Sequence, residues 1–459
     1  MKFLRYSPLV LLLLACRTGI AQNTAIDVQH YRFAITLNDT NNIIQGDATI
    51  EFIAKKAANM VYFDLTGLNE VTGKGMKVLR VSENNRNLRY SQDSTHLNIY
   101  FSESFPVNVR KEVHIKYAGV PDDGLIISRN KFKHRTFFAD NWPMRAHHWI
   151  PCNDYPSDKA SVDFVITAPD HYQVVANGVL VEETNVAHHE RLSHWRTTVQ
   201  LPTKVMAIGV ADFAVQRVAT IRGVPIWTWV FTANRDSGFA QYTIAKEILP
   251  FYMNYIGPYP YRKLANVQSK TRFGGLENAS NIFYSQNSVV LNNSDLTKNH
   301  TPTEALMAHE IAHQWFGDAV TETGWQHLWL SEGFATYMTD LYFENKYGED
   351  SLRARMRRDR LAVLKFYKKR QTPVVDTSAM NDPMKLLNPN TYQKVSWVLH
   401  MLRRKLGDRV FQKGIRDYYT TYKGKNASTG DFRRIMEKAS GWDLRPFFKQ
   451  WLYSLGQPM

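Results

Sequence analysis

Short segments in the first half of the chain alternate apolar and polar residues, and turns containing Gly, Asn, Asp or Pro separate them. A strand with one buried face has this period of two. Clear cases are residues 48–52, 96–101, 162–166 and 195–199. The pattern predicts an all-β, sandwich-like domain in the first half.

From about residue 215 the pattern lengthens to the period of amphipathic helices, with only a few strands. No repeat or low-complexity linker separates the two halves, which favours two tightly packed domains. We therefore predict a multi-domain α+β protein, with an N-terminal β-domain at residues 22–215 and a mainly helical domain at residues 216–459.

Residues 1–21 have a basic start, an apolar run and a polar end, which is typical of an export signal. The apolar run is too short to span a bilayer. Gly19 and Ala21 suit cleavage before Gln22, which we favour, although residues 13–16 also resemble a lipobox that would leave a lipid anchor on Cys16. We expect an exported protein, periplasmic, secreted or at the cell surface, with no transmembrane helix in its mature form.

The composition, 44% hydrophobic and 13% aromatic over 459 residues, is that of an ordinary globular enzyme with ample core. Cys16 and Cys152 are the two cysteines. Once the signal is removed or Cys16 is acylated, Cys152 has no partner, so we expect no intrachain disulfide. We interpret Cys152 as a small buried hydrophobic residue.

The formal net charge of +15 raises the question of nucleic-acid binding. Much of this charge lies at residues 352–360 and 368–370, which have helical periodicity and no interleaved stacking aromatics. We interpret the segment as a solvated helix face and expect no nucleic-acid partner. Attraction to an anionic cell surface stays open.

A metal-binding pattern lies in the second half. Thr301, Pro302 and Glu304 are typical of a helix start with a capping box, and Gly317 is a plausible stop. His309 and His313 lie within this helix, four residues apart, so both imidazoles share one face and can bind one zinc ion. Glu310, between them, points at the open side of the metal.

A third zinc ligand is predicted at Glu332, after eighteen intervening residues. Glu332 opens a second helical pattern that runs to about Tyr347, before Gly348. Two His and one carboxylate leave one position for water, as in catalytic zinc sites, whereas structural sites close all four positions. We expect one zinc ion per chain.

Residues 309–318 and 328–335 resemble the aminopeptidase N and leukotriene hydrolase family of gluzincin zinc metallopeptidases. Gly274, Gly275, Leu276, Glu277 and Asn278 are similar to the Gly-x-Met-Glu-Asn motif of that family, with Leu in place of Met. Further matching segments, in chain order, are residues 145–160, 392–402 and 447–458, with Val395 where the family usually has glycine. The match spans almost the whole mature chain.

The resemblance implies a thermolysin-like catalytic domain and a role for each residue that matches. Glu310 would take a proton from the zinc-bound water and pass it to the leaving amine. Tyr392 would donate a hydrogen bond to the oxyanion, and Glu277 would hold a free α-ammonium by a charge-assisted bond. The paired glycines let the backbone approach an extended substrate. Asp140 and Asn141 lie near a region that often contributes to the amine site, and their role stays open.

We therefore expect a zinc aminopeptidase that acts on peptides with a free N-terminus. The alternatives are an endopeptidase on the same zinc core and a catalytically silent peptide-binding surface protein. The chain ends shortly after the last matching segment, so it resembles a short form without the large helical domain of longer members. Such a form would have a more open cleft and discriminate less by peptide length.

Overall fold

The structure, a computed structural model, describes residues 23–288 and 301–456. The predicted export signal at residues 1–21 with Cys16 lies outside these residues, as does Pro458. Within the part of the chain that is described, no helix is long and apolar enough to cross a membrane.

The N-terminal half is β-rich, and burial along its strands follows the period of two. From Ile44 to Ala54, every second side chain is buried. The four segments singled out in the sequence all lie inside strands. The strands are Ile26–Thr36 (β1), Ile44–Ala54 (β2), Ala58–Asp64 (β3), Gly75–Glu83 (β4), Arg86–Asn87 (β5), Arg89–Gln92 (β6), His96–Phe105 (β7), Arg110–Val120 (β8), Leu125–Arg129 (β9), Arg135–Ala139 (β10), Lys159–Pro169 (β11), Gln173–Ala176 (β12), Val179–Ala187 (β13), Glu190–Pro202 (β14) and Ile208–Ala211 (β15).

Three sheets build this domain, with the strand orders β13-β14-β11-β1-β2-β8-β4-β5, β3-β7-β6 and β12-β15-β10-β9. In the largest sheet, β1 pairs in parallel with β11 and antiparallel with β2, so Phe33 lies opposite both Phe164 and Ala48. These residues are fully buried, and within the described residues Cys152 is buried and forms no disulfide. The predicted β-domain is confirmed.

The second half is mainly helical around one mixed sheet. Its strands are Phe213–Ile221 (β16), Val224–Phe231 (β17), Leu264–Ser269 (β18), Gly275–Leu276 (β19), Asn281–Ser285 (β20), Val320–Glu322 (β21) and Lys425–Ala427 (β22). Its helices are Arg235–Tyr242 (α1), Ala245–Tyr255 (α2), Thr301–His313 (α3), Trp329–Tyr347 (α4), Glu349–Tyr367 (α5), Val395–Leu406 (α6), Asp408–Tyr422 (α7), Thr429–Ser440 (α8) and Arg445–Phe448 (α9). A π-helical turn, Asn390–Lys394, precedes α6.

The second half contains a five-stranded sheet with the order β16-β17-β18-β20-β19. The predicted boundary after residue 215 falls within β16, which pairs with β17 from Phe213 onward. The sheet of the helical half therefore begins at Phe213. A β-rich half followed by a mainly helical half confirms the predicted fold class.

Helices α3 and α4 lie side by side in opposite directions. Glu304, near the start of α3, accepts hydrogen bonds from Tyr342, Lys346 and Tyr347 near the end of α4, each at 2.7 Å. Its carboxylate therefore ties the two helices together. Helix α4 is buried from Trp329 to Phe343 and stops at Gly348, where φ is +83°. A helix buried on every side holds its polar groups rigidly.

Candidate metal centre and cleft

The predicted site residues other than Asn278 line one cleft of about 450 Å³ between the β-domain and the helices. Its walls include His309, Glu310 and His313 of α3 and Glu332 of α4. They also include the strand β19 with its neighbours Gly274 and Glu277, and Tyr392 from the π-helical turn. The fold therefore brings together residues that are more than one hundred positions apart in the sequence.

The centre of the cleft is a triangle of possible metal ligands. Nε2 of His309 lies 3.1 Å from Nε2 of His313, and each of these nitrogens lies 3.2 Å from Oε2 of Glu332. Ligands at about 2.0–2.1 Å from a tetrahedral zinc ion are about 3.4 Å apart. The three atoms thus have close to the spacing of one face of a zinc tetrahedron and would hold a zinc ion at the cleft wall.

Neighbouring groups set which nitrogen of His313 is free to bind a metal. Its Nδ1 lies 3.1 Å from the carbonyl oxygen of Phe316, to which it donates. Nδ1 therefore carries a proton, and Nε2, the nitrogen that faces Glu332, is the one that would bind a metal. Gly317 has φ +120°, and a Cβ there would lie 2.3 Å from Oγ of Ser331, so this turn admits only glycine.

Negative charge is concentrated around the triangle. Burial raises the pKa of Glu310 well above its ordinary value, and Glu277 and Glu332 raise it further against the opposing effect of His313. Burial also opposes ionisation of Glu332, but His313 and the hydrogen bonds from both histidines outweigh burial and lower its pKa. For His313, burial is outweighed by Glu332, which raises the pKa to about 10. Three carboxylates around two imidazoles make this a strong site for a divalent cation.

Glu310 is held against the backbone of β19. A Cβ built on Gly275 would lie 2.2 Å from Oε1 of Glu310. Gly275 must therefore be glycine for Glu310 to occupy its place, because no real Cβ contact is this short. At Gly274, the nearest atom to an added Cβ is Oγ of Ser288, at 3.6 Å. Of the two glycines, only Gly275 is required by the close approach of the Glu310 side chain to the backbone.

Glu277 has the features of a side chain prepared for a cationic ligand. It lines the cleft, is only 6% exposed, and its Oε1 has no hydrogen-bond partner among the described residues. Burial raises its pKa, against an opposing effect of His313. A buried oxygen without a partner costs free energy unless a ligand supplies one.

The backbone next to Glu277 is fixed by Gln314, just beyond His313. Nε2 of Gln314 donates to the carbonyl oxygen of Glu277 at 2.8 Å and lies 3.5 Å from that of Asn278. Asn278 is buried behind the cleft and does not line it. Asn278 therefore lies in the wall that supports Glu277. Because it does not line the cleft, the structure does not place it in a position to contact substrate as predicted.

Tyr392 faces the metal triangle from the side of α6. Its ring stacks on that of His309, with centroids 6.1 Å apart and an angle of 19°. Burial, followed by the negative charges of Glu332, Glu277 and Glu310, raises the pKa of Tyr392 well above its ordinary value. Its hydroxyl therefore keeps its proton and can donate a hydrogen bond into the cleft.

Asp140 and Asn141 are engaged elsewhere. Asp140 accepts hydrogen bonds from the guanidinium of Arg145 and from the backbone N–H of Arg272. Asn141 accepts from Nε1 of Trp149 at 2.9 Å and donates to two backbone carbonyl oxygens. Neither side chain lines the cleft. The next residue, Trp142, does line it, and its ring packs against Phe273 at 5.8 Å.

Several cleft residues were missed in the sequence, above all on α5. Arg355, Arg358 and Asp359 line the cleft although they belong to the basic run that we interpreted as a solvated face. That interpretation is wrong for Arg355, which is 8% exposed. The helical period could have shown that one face of α5 is buried, but not which cavity that face borders.

An HExxH helix and a later glutamate meet in one cleft, in a mainly helical domain that follows a β-rich domain. Together they define the gluzincin class of metallopeptidases. Family models agree along the chain: "Peptidase M1 N-terminal domain" matches residues 27–205, and "Peptidase family M1 domain" matches residues 240–451. The chain belongs to peptidase family M1.

Relatives with names are similar over most of this chain. A probable aminopeptidase 2 of Sulfurisphaera tokodaii is 26% identical over 450 residues, which cover 95% of this chain and 54% of that protein. Aminopeptidase M1-C of Oryza sativa subsp. japonica is 27% identical over 319 residues, covering 68% and 36% respectively. The chain thus spans about half the length, or less, of these relatives.

Solved structures with the same fold include proteins that match this chain over almost their whole length. A mutant M1 zinc metallopeptidase of Deinococcus radiodurans bound to a Tyr-Ser-Ala substrate has a TM-score of 0.80 and 22% identity, covering 95% of this chain and 96% of that one. A two-domain M1 zinc metallopeptidase mutant bound to L-tryptophan has a TM-score of 0.79 and 22% identity, with the same coverage. These similarities establish the fold.

Proposed function

We propose that this protein is a zinc-dependent aminopeptidase that releases N-terminal residues from peptides. The observation that carries the proposal is the position of Glu277, whose buried, unpartnered carboxylate oxygen lines the same cleft as the His309, His313 and Glu332 triangle. A substrate ammonium bound there brings the first peptide bond to the metal. The names of the relatives and the bound Tyr-Ser-Ala peptide of the Deinococcus radiodurans protein support this function.

His309, His313 and Glu332 are the residues that would hold zinc. The spacing of these three groups, with Nε2 of both histidines facing Glu332, suits a tetrahedral zinc ion. When bound, zinc supplies a Lewis acid that polarises a carbonyl group and lowers the pKa of water.

Glu310 is the proposed general base. Buried in the cleft beside the metal triangle, it accepts a proton from the attacking water and then delivers this proton to the leaving amine. Its raised pKa makes the protonated form, which is needed for the second step, accessible near neutral pH.

Tyr392 is the proposed donor to the oxyanion. Its protonated hydroxyl, in the cleft beside His309, donates a hydrogen bond to the carbonyl oxygen as negative charge develops there. Gly274 and Gly275 provide the backbone along which the extended substrate lies.

Substitution of Glu277 tests the proposal against an endopeptidase on the same zinc centre. The wild-type protein should hydrolyse a peptide with a free amine and leave its N-acetylated form intact. Glu277→Gln removes the charge-assisted bond and should lower kcat/KM for the free peptide by about 10- to 100-fold. Equal cleavage of free and acetylated peptides by the wild type would instead support the endopeptidase.

A catalytically silent peptide-binding protein is the other alternative. Glu310 is present and in position, which disfavours that alternative. It would be supported if zinc-loaded protein bound peptides and hydrolysed none of a varied panel.

We also propose that the protein is exported, on the strength of residues 1–21 alone. Whether signal peptidase cuts before Gln22 or Cys16 is lipidated is decided by the mass of the mature N-terminus.

A further inference from the structure

The cleft extends beyond the metal triangle, away from Glu277, along helix α3. Glu277 is bound through Gln314, just past the end of α3, whereas Ala305 and Leu306 line the cleft near the start of α3. The rise of a helix puts about 12 Å between Leu306 and Gln314. His309, Glu310 and His313 lie between these ends. A peptide whose amine is at Glu277 therefore runs past the metal toward the start of α3.

Helices α4 and α5 bring their side chains to this far end. Helix α4 runs opposite to α3, since Tyr342 of α4 donates to Glu304 of α3. Thr336 and Thr339, one and two turns after Glu332, line the far part of the cleft. Arg355 of α5 is bound to the adjacent Asp340 at 2.5 Å. The cleft residues of α5 therefore lie beside the leaving part of the substrate, on the far side of the scissile bond.

The two arginines at this end differ in how tightly their charges are paired. Asp340 is fully engaged, because its Oδ1 accepts from Arg355 and its Oδ2 accepts from Ser396 at 2.6 Å. The side chain of Arg358 is 63% exposed and forms one ion pair among the described residues, with Oδ1 of Asp359 at a long distance of 3.7 Å. Its guanidinium keeps several donors for a ligand in the cleft.

Asp359 cancels little of this positive charge. It is only 2% exposed, and its Oδ2 has no hydrogen-bond partner within the described part of the chain. Burial, and then the charge of Asp340, raises the pKa of Asp359 to about 7 against the opposing effects of Arg358 and Arg355. Near neutral pH the carboxyl is therefore partly protonated, whereas Arg358 carries its full charge.

We propose that Arg358 binds a carboxylate of the substrate on the leaving side of the scissile bond. This inference rests on the proposed aminopeptidase function, which fixes the direction of the peptide. The cleft then has an acidic end for the ammonium and a basic end for the carboxylate, which matches the dipole of a short peptide. The carboxylate is either the C-terminus of a dipeptide or tripeptide or an acidic side chain just after the scissile bond.

Two matched substrate pairs test this preference, each beginning with the residue that the wild-type protein releases fastest. One pair compares a dipeptide ending in alanine with a free carboxylate and with a C-terminal amide. The other compares aspartate with asparagine as the second residue of an amidated dipeptide. Zinc-loaded full-length protein should show kcat/KM about 5-fold higher for the charged member of at least one pair. The pair that shows the preference identifies the source of the carboxylate.

Variants of α5 connect the preference to Arg358. Arg358→Ala should bring the charged-to-neutral ratio to about one, and Arg358→Glu should reverse it. Arg360→Ala is the matched control, because Arg360 is an exposed arginine about 200° around the same helix and should leave the ratio unchanged.

The outcomes separate the two claims. A wild-type ratio near one in both pairs, or a ratio that Arg358→Ala leaves unchanged, overturns the role of Arg358. Release of the first residue from the amidated dipeptides still supports the aminopeptidase in that case. Failure of the wild type to cleave any member overturns the aminopeptidase and this inference with it.

Discussion

Gly275 is the residue at which the absence of a side chain matters most for the proposed chemistry. An added Cβ would lie 2.2 Å from Oε1, 2.4 Å from Cδ and 2.7 Å from Cγ of Glu310, so most of this side chain would have to move. Gly275→Ala should therefore displace Glu310 and lower kcat by at least about 100-fold. Peptidase assays, with zinc content measured in parallel, check this expectation.

Gly274→Ala is the matched control for that substitution. Its Cβ meets nothing closer than Oγ of Ser288 at 3.6 Å, so it should cost far less activity. Equal losses in the two variants, or loss of zinc from Gly275→Ala, would contradict a specific effect on Glu310.

Asp158 predicts a pH dependence of stability in the β-domain. Burial raises its pKa from 3.8 to about 7, so between these values the folded protein binds a proton that the unfolded chain has lost. Its contribution to stability is thus fully present below about pH 4 and is lost as pH rises through 7. In Asp158→Asn this loss is absent. The variant's unfolding free energy, relative to wild type, should rise by a few kcal/mol between pH 4 and pH 8.

Denaturant unfolding across this pH range measures the difference. Asp47→Asn provides a control, because its partly exposed carboxylate forms only a surface ion pair with Lys116, at 3.6 Å. A constant difference between Asp158→Asn and wild type would mean that the buried carboxyl is ionised throughout.

At the scale of elements, the sequence was sufficient for the two metal-binding helices. The spacing of His309 and His313 places both on one face of a helix, and the apolar pattern up to Gly348 predicts the second helix. Both predictions depend only on local helical geometry, which is visible in the sequence. Helix α3 nevertheless ends at His313, four residues before the predicted stop at Gly317. Residues 314–317 form a turn that directs the carbonyl of Phe316 at His313, a local contact that the pattern of apolar positions does not reveal.

The contact between α4 and α6 explains the departure at Val395. A Cβ on Gly333 would lie 2.2 Å from Cγ1 of Val395 and 3.0 Å from the carbonyl oxygen of Thr391. The missing side chain of Gly333 thus makes room for Val395, where the family usually has glycine. Sequence comparison marked Val395 as unusual, but only the packing shows what accommodates it.

Helix α5 shows where pattern reasoning fails. Its arginines at 353, 357 and 360 are exposed, as expected of a solvated face, while Arg355 is buried against Asp340 and Phe343. The sequence shows that a charged residue is buried only if its ion-pair partner can be identified. The partner of Arg355, Asp340, lies on a different helix, so the local pattern does not reveal it. The chemistry of the cleft's far end was therefore hidden in the sequence.

At the scale of the whole molecule, two buried lysines connect the halves. Nζ of Lys159 lies 3.1 Å from each of three backbone carbonyl oxygens, those of Asp318, Ala319 and Lys425. Nζ of Lys204 binds Oε1 of Glu322 at 2.6 Å, with both side chains almost fully buried. The domains were predicted to pack tightly, but contacts between distant residues such as these leave no periodic trace in the sequence.

The pair of Lys204 and Glu322 yields a stability prediction. Lys204→Met leaves the carboxylate of Glu322 buried without its cation and should destabilise the protein by about 3–5 kcal/mol. Lys204→Met combined with Glu322→Met removes both charges and should recover most of that loss. Urea unfolding of the wild type, both single variants and the double variant measures the coupling. Additive losses in the double variant would show that the pair is not coupled.

The central claim is that Glu310 acts at the metal centre on the first bond of a peptide. Mass spectrometry of a mixed peptide pool, incubated with wild-type and Glu310→Gln protein of equal zinc content, tests it most directly. We predict products shortened stepwise from the amino end by the wild type, and rates at least about 100-fold lower for Glu310→Gln. Internal cleavage by the wild type, or equal trimming by both proteins, would contradict the account.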